Sequence, residues 1–183
     1  MKFLKKNAFF ILVAAFLTVL YLFPSVKLKL KDLFFPIAAI ENAITLNDED
    51  YDIQLKGINV PNTNLKSLKG NKLILLNFWG TWCPPCREEW PTIEQLYLGR
   101  KDKIDFVLIA MQDKEEDVIA FMKKNNYTAP VYIAESPITK NVLPKVFPTT
   151  FLLDKNGRIL LKEEGTKDWN SKSTNSFIDN VTQ

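Results

Sequence analysis

A chain of 183 residues with 46% hydrophobic and 25% charged content has room for one globular domain of about 100 to 200 residues plus appendages. It contains two cysteines and no histidine. Zinc sites draw about four ligands from Cys, His and carboxylates, so only a carboxylate-rich site would remain, and covalent haem attachment needs Cys-x-x-Cys-His, whereas Arg87 follows Cys86. The formal charge of +3 is uneven: six lysines lie within the first 31 residues, leaving 18 basic against 21 acidic residues from Asp32 onward. A nucleic-acid binder calls for a basic patch on its folded domain, so no nucleic-acid partner is expected.

The first element is "AFFILVAAFLTVLYLF", Ala8 to Phe23, 16 uncharged residues preceded by Lys2, Lys5 and Lys6 and closed by Pro24. It lies just under the usual spanning length of about 17 to 25 residues and also resembles the apolar region of a secretory signal. A cleavage site would want small residues at the last and third-last positions, but the exit reads "YLFPSVKLKLK". The expectation is an uncleaved single-pass anchor over residues 1–26, with a cytoplasmic N-terminus and an extracytoplasmic body. A connector over 27–47, with the apolar "LFFPIAAIENAI", reads as a stalk or lead-in, and residues 48–183 form the domain.

Within that domain Tyr51 to Leu55 alternates weakly, as an outer strand would, and "VPNTNLKSLKG" reads as a loop with a helical turn. "KLILLNFW", Lys72 to Trp79, is a continuous apolar run suited to a strand buried on both faces. "WCPPCREEWP" follows at once. Pro84 and Pro85 suit a first helical turn, where their missing N–H groups would have had no partner. Cys86, Trp90, Ile93 and Tyr97 then form an apolar stripe, with Pro91 kinking the helix and Gly99 offering a stop. Ile104 to Met111 is a second buried strand, Glu115 to Asn125 a helix and Val131 to Ala134 a short strand; helical crossovers imply parallel pairing. "FPTTFLLDKNGRILL" reads as a hairpin turning at Asp154 to Gly157, and Trp169 to Val181 as a final helix packed through Trp169, Phe177 and Val181. The layered alternation predicts an α/β or α+β fold. A disulfide between cysteines so close closes too short a loop to staple a domain of this size, which leaves a working redox couple as the stronger reading.

"FWGTWCPPC" after a strand, a helix with Pro91 five residues beyond the second cysteine, and the late "FPTTFLLDKNG" together resemble the thioredoxin fold. Within it they are most similar to the membrane-anchored TlpA- and ResA-like thiol-disulfide oxidoreductases. The resemblance runs from about Tyr51 to the C-terminus. It implies an α/β fold with a central mixed β-sheet flanked by helices behind an N-terminal transmembrane helix, and a redox-active Cys83–Cys86 disulfide with no other cofactor and no metal.

A thiolate at a helix N-terminus is favoured by the helix dipole, which makes Cys83 the nucleophile. Cys86, one turn further in on the buried stripe, resolves the mixed disulfide. Many thioredoxins place a buried Asp six residues before the first cysteine; here Asn77 stands there and cannot titrate. In ResA-like proteins a Glu three residues after the second cysteine takes part in thiol acid-base behaviour, and that position is Glu89. Helical geometry projects Glu89 toward Cys86 and turns Glu88 away; the competing reading of Glu89 is a solvated acid in the first turn. Pro148 matches the family's cis-proline beside the cysteines. Phe147 either flanks the substrate groove or is an ordinary core aromatic. Trp82 belongs at the site surface and Trp79 in the core.

The resemblance implies reduction of disulfides in partner proteins, for example in cytochrome c maturation, with a membrane thiol-reductant donor to restore the dithiol. The alternatives are a disulfide-forming oxidant of the same fold and a noncatalytic envelope binding domain. A copper-assembly module would call for His or Met beside its thiols, and the chain has no His.

Overall fold

The computed structural model describes residues 2–23, 26, 28, 30, 34 and 44–182. Most of the connector expected over 27–47 lies outside the described residues. Helix α1 covers Lys2–Leu22, and over its described part large apolar side chains such as Phe9, Phe10, Leu12, Phe16 and Leu17 face outward. Among the described residues no helix is long and apolar enough to cross a membrane.

The body is a seven-stranded mixed sheet in the order β2-β1-β5-β4-β3-β6-β7. Its strands are β1 (Gln54–Gly57), β2 (Thr63–Asn64), β3 (Leu73–Trp79), β4 (Ile104–Ala110), β5 (Val131–Ala134), β6 (Thr149–Leu153) and β7 (Ile159–Glu164). Helix α2 (Pro84–Arg100) joins β3 to β4, α3 (Glu115–Asn125) joins β4 to β5, and α4 (Lys172–Val181) closes the chain. The three strands linked by helices pair in parallel, β3 with β4 and β4 with β5. The hairpin partners β6 and β7 are antiparallel, as are β3 and β6.

Every residue of β3 is buried, the pattern of a central strand covered on both sides. Period-two alternation divides it: Leu73, Leu75 and Trp79 join one cluster with Trp90, Ile93, Val118, Met122 and Ile178 of the three helices. Ile74, Leu76 and Phe78 join the other, covered by Leu46, Tyr51, Ile53, Leu65 and Val142. Helices thus line one face, while the segment before β1, the 3-10 turn Leu65–Leu68 and the loop before β6 close the opposite one.

Local chemistry accounts for the element ends. Pro84 and Pro85 occupy the first positions of α2 behind Cys83. Helix α3 carries Glu115, Glu116 and Asp117 in its first turn and Lys123 and Lys124 in its last, matched to the helix dipole, and Asn126 ends it at φ 54°. The Ser171 side chain caps α4 by accepting from Thr174 N. Gly157, at φ +88°, closes the β6–β7 turn, where a Cβ would sit 3.2 Å from Leu46 O.

Three boundaries depart from the sequence reading. Helix α2 runs through Gly99 to Arg100, because the Arg100 guanidinium bridges to Asp179 and Asn175 on α4 and holds the last turn in place. A glycine costs at most about 1 kcal/mol in a helix interior and Gly99 stands next to the helix end, so this anchoring and the burial of Leu96 offset it. The outer strand begins at Gln54 and is itself covered by β2, since Asp50 is held in a turn by Thr139 and Asn141. The last helix starts at Lys172, with Trp169 buried ahead of it.

Trp90 is the keystone of the helical face: fully buried, it meets Trp79 edge-on at 4.6 Å and stacks on Tyr127 at 5.0 Å. Trp90→Ala is expected to lower the unfolding free energy by about 3 to 5 kcal/mol. Leu98→Ala, on the exposed side of the same helix, should change it by no more than about 0.5 kcal/mol. Urea titration followed by circular dichroism checks both.

Candidate active site

The carboxyl end of β3 delivers the chain into Gly80-Thr81-Trp82 and then into α2, so that the two cysteines stand at the helix entrance. Cys83 is the N-cap, with extended φ −94° and ψ 106°, and its Sγ accepts from Cys86 N at 3.3 Å. Backbone N–H groups of a first turn lack intrahelical partners, so the sulfur occupies a position that favours negative charge. Cys83 and Cys86 are joined in a disulfide. Cys83 is 3% exposed and Cys86 0%; the outer sulfur is the more accessible one, but far less open than a thiol at a helix start would be expected to be.

Surface residues frame that narrow opening. Trp82 is 48% exposed and donates its indole N–H to Met111 O at 2.9 Å. The ring lies over Gly80, where an added Cβ would meet Trp82 Nε1 at 2.5 Å. Thr81 is pinned through its N–H and hydroxyl to the Asp113 carboxylate. Across the opening, Phe147 meets Trp82 edge-on at 5.4 Å, and the Phe147–Pro148 bond is cis. Phe147 also packs against both apolar clusters, which makes it in part a core aromatic. Trp79 is fully buried.

One turn behind the disulfide lies Glu89, and it is fully buried. The solvated reading of this residue is therefore overturned. Its Oε1 accepts from Asn77 Nδ2 at 3.0 Å, and its Oε2 accepts from Trp169 Nε1 at 3.0 Å and from Lys167 N at 3.3 Å. Asn77 also donates to Thr150 Oγ1 at 2.8 Å. A buried carboxylate survives only where hydrogen bonds and charge replace its water, and here β3 and the segment after β7 supply donors. Glu88, next to it, is only half-buried.

The structure thus brings Cys83, Cys86, Trp82, Phe147, Pro148 and Glu89 to one end of the sheet. Sequence reasoning missed Asp113, Thr150, Lys167 and the polar use of Trp169, which approach from 30 to 80 residues away along the chain. A second buried acid, Glu94, serves structure, accepting from Thr128 and Ala129. Among the described residues no group of three metal-ligating side chains occurs.

A family model described as Redoxin matches residues 51–181. The thioredoxin-like protein YneN of Bacillus subtilis (strain 168) is 36% identical over 111 residues, covering 59% of this chain and 65% of that protein. The thiol-disulfide oxidoreductase ResA of Bacillus cereus (strain ATCC 10987 / NRS 248) is 40% identical over 111 residues, covering 57% and 62%. The chain therefore spans a little under two thirds of the length of these relatives. Among solved structures, a thiol:disulfide interchange protein of the thioredoxin family from Chlorobium tepidum TLS aligns with TM-score 0.57 at 23% identity, over 78% of this chain and 95% of that one, a likeness of fold. The central mixed sheet with helices on it is thus thioredoxin-like, and, with the family model covering nearly all of the folded body, this chain belongs to the Redoxin family.

Proposed function

We propose that this protein is a membrane-tethered, extracytoplasmic thiol-disulfide oxidoreductase that reduces disulfides in partner proteins. The observation that carries the reading is the Cys83–Cys86 disulfide at the start of α2 with a wholly buried carboxylate, Glu89, one turn behind it. A noncatalytic binding domain has no use for that juxtaposition. The named activity of the ResA relatives points the same way.

In the reducing direction the dithiol form begins the cycle. The Cys83 thiolate attacks one sulfur of the substrate disulfide; that bond breaks, a Cys83–substrate disulfide forms, and the departing sulfur leaves with the electron pair and takes up a proton. Cys86 then gives its proton to Glu89 and attacks Cys83 Sγ, and the second substrate sulfur departs and is protonated. Two electrons have passed to the substrate, and the enzyme holds the Cys83–Cys86 disulfide. A dithiol donor at the membrane reverses the change. Trp82, Phe147 and the Pro148 loop present the substrate backbone and side chains to Cys83. Reduction is favoured over oxidation because extracytoplasmic compartments otherwise keep disulfides formed, so a tethered dithiol has work there; assembly of cytochrome c is one setting.

The anchor is residues 1–26, followed by the connector 27–47 and the catalytic domain 48–183. Its support is the uncharged run Ala8 to Phe23 together with the outward-facing phenylalanines and leucines of α1, which gain most from an apolar surrounding.

Full-length protein extracted from membranes is expected to retain Ala8 to Phe23; intact-mass analysis finding a start after Pro24 would refute the anchor. Glu89→Gln should slow the resolving step by about two orders of magnitude or more, while Glu88→Gln leaves it near the parental rate; stopped-flow reaction with an aromatic disulfide reads both, and equal rates for all three proteins would dismiss the role of Glu89. Cys86→Ser should accumulate a mixed disulfide between Cys83 and its partner, and Cys83→Ser little. Non-reducing gels of cell envelopes, followed by mass spectrometry, would name the substrate, and equal trapping by the two variants would sink the ordered couple.

A further inference from the structure

Lys167 is a lysine with a side chain only 3% exposed, at a point in the fold where burial of a cation needs a reason. Its backbone N–H already touches Glu89 Oε2 at 3.3 Å. Its Nζ lies 4.0 Å from Glu163 Oε2. The sheet register shows where that Glu163 partner sits. Asn77 on β3 pairs with Thr150 on β6, and Thr150 pairs with Glu163 on β7, so the three side chains form one row on one face. It is the face over which Glu89 lies, because Asn77 donates to Glu89 and Thr150 alike.

A buried ammonium is tolerated only when paired with an anion at close range. Glu163 stands at the edge of ion-pair distance and its side chain is 20% exposed, so it supplies part of the compensation. The wholly buried acid of this layer is Glu89. From β3 and β6 the groups beside Glu89 are uncharged, Asn77 and Thr150; on β7 Glu163 stands next in the row to Thr150, the following segment brings Trp169 and Lys167, and on its own helix Cys86 lies three residues earlier.

We propose that the Lys167 ammonium is the resident counter-charge of Glu89, holding the carboxylate ionised to receive the Cys86 proton, with Glu163 connecting the pair to solvent. The proposal rests on the acid-base reading of Glu89 given above. Lys167 touches no substrate; it is a positioning residue that acts through Glu89. In the resolving step the proton moves from Cys86 Sγ to a Glu89 oxygen, Cys86 Sγ bonds to Cys83 Sγ, and the Cys83–substrate bond breaks with its electron pair going to the substrate sulfur. Glu89 then loses the proton toward the Glu163 side, and the Lys167 charge favours that loss. Without the cation Glu89 would already be protonated at higher pH and could not accept.

The test follows the resolving step in the reduced full-length protein across pH, using dithiobis(nitrobenzoate). Its first nitrothiolate reports attack by Cys83 and its second reports displacement by Cys86. In the parent the second phase should weaken on the acid side as Glu89 is protonated. Lys167→Met should move that acid limb upward by about 1 to 3 pH units, the size of effect an opposite charge at this range exerts on a carboxyl. Lys167→Arg should restore it. In the Glu89→Gln background the limb should be gone, and Lys167→Met should shift nothing further.

A Lys167→Met profile that superposes on the parent, or a shift that persists in the Glu89→Gln background, overturns the counter-charge. An unchanged limb in Glu89→Gln alone overturns the reading of Glu89 and this inference with it. Should Lys167→Met fail to fold, the 15N signal of the Lys167 ammonium in protein with lysine in place decides: it should change on Glu89→Gln, and an unmoved signal counts against the pair.

Discussion

A carboxylate buried one turn into α2 constrains most of this domain. Glu89 has no water to solvate it, so its two oxygens must be met by donors from the rest of the protein. They come from Asn77 in the middle of β3 and from Lys167 and Trp169 beyond β7. The set ties the redox helix at once to the central strand and to the C-terminal segment. Apolar packing alone would let α2 slide or rotate over the sheet at small cost, since it has no direction; hydrogen bonds to a buried carboxyl group do not. The orientation of the Cys83–Cys86 turn relative to the Pro148 loop follows from that fixation.

The same tie explains the C-terminal boundary. Trp169 carries a large apolar surface and one N–H donor, and a buried indole needs both satisfied. Its apolar body joins the helical-face cluster and its N–H reaches Glu89. A residue so placed cannot also lie in a helix whose first turn is capped two positions later by Ser171. Helix α4 therefore starts late and contributes Thr174 and Ile178 to the interior, with Phe177 and Val181 only partly covered.

Local signals in the sequence were enough for the strands β3 to β7 and the three helices of the body, because each has a strong periodic pattern, a proline start or a glycine turn. The disulfide and its neighbours were legible for the same reason: Cys83, Cys86, Trp82 and Glu89 lie within one short stretch, and Phe147 and Pro148 in another. What stayed hidden depends on contacts across the sheet. Nothing in "KDWN" distinguishes a solvent-facing Lys167 from a buried one, and nothing near Asp113 announces that it will clamp Thr81, 32 residues earlier. Burial of Glu89 was half legible: its spacing from Cys86 turned it toward the buried stripe, but the donors that let it stay there come from distant segments. Gly99 misled because propensity is a weak prior that tertiary anchoring overrides.

Placing the acid on the helix instead of the strand has a mechanical consequence. A titrating side chain at position 77 would sit on β3, so its distance to Cys86 would depend on how α2 seats on the sheet. Glu89 rides on the same helix as Cys86, three residues on, and the helix itself sets their relation. A shift of α2 over the sheet therefore carries the carboxyl group and the sulfur together. Asn77 then has the role that suits an uncharged residue: its amide keeps a hydrogen bond to Glu89 and another to Thr150, and, having no proton to lose, it adds no further ionisable group to a layer that already holds Glu89, Glu163 and Lys167. A carboxyl group on the helix of the disulfide thus stays in register with Cys86 under small shifts of α2 on the sheet.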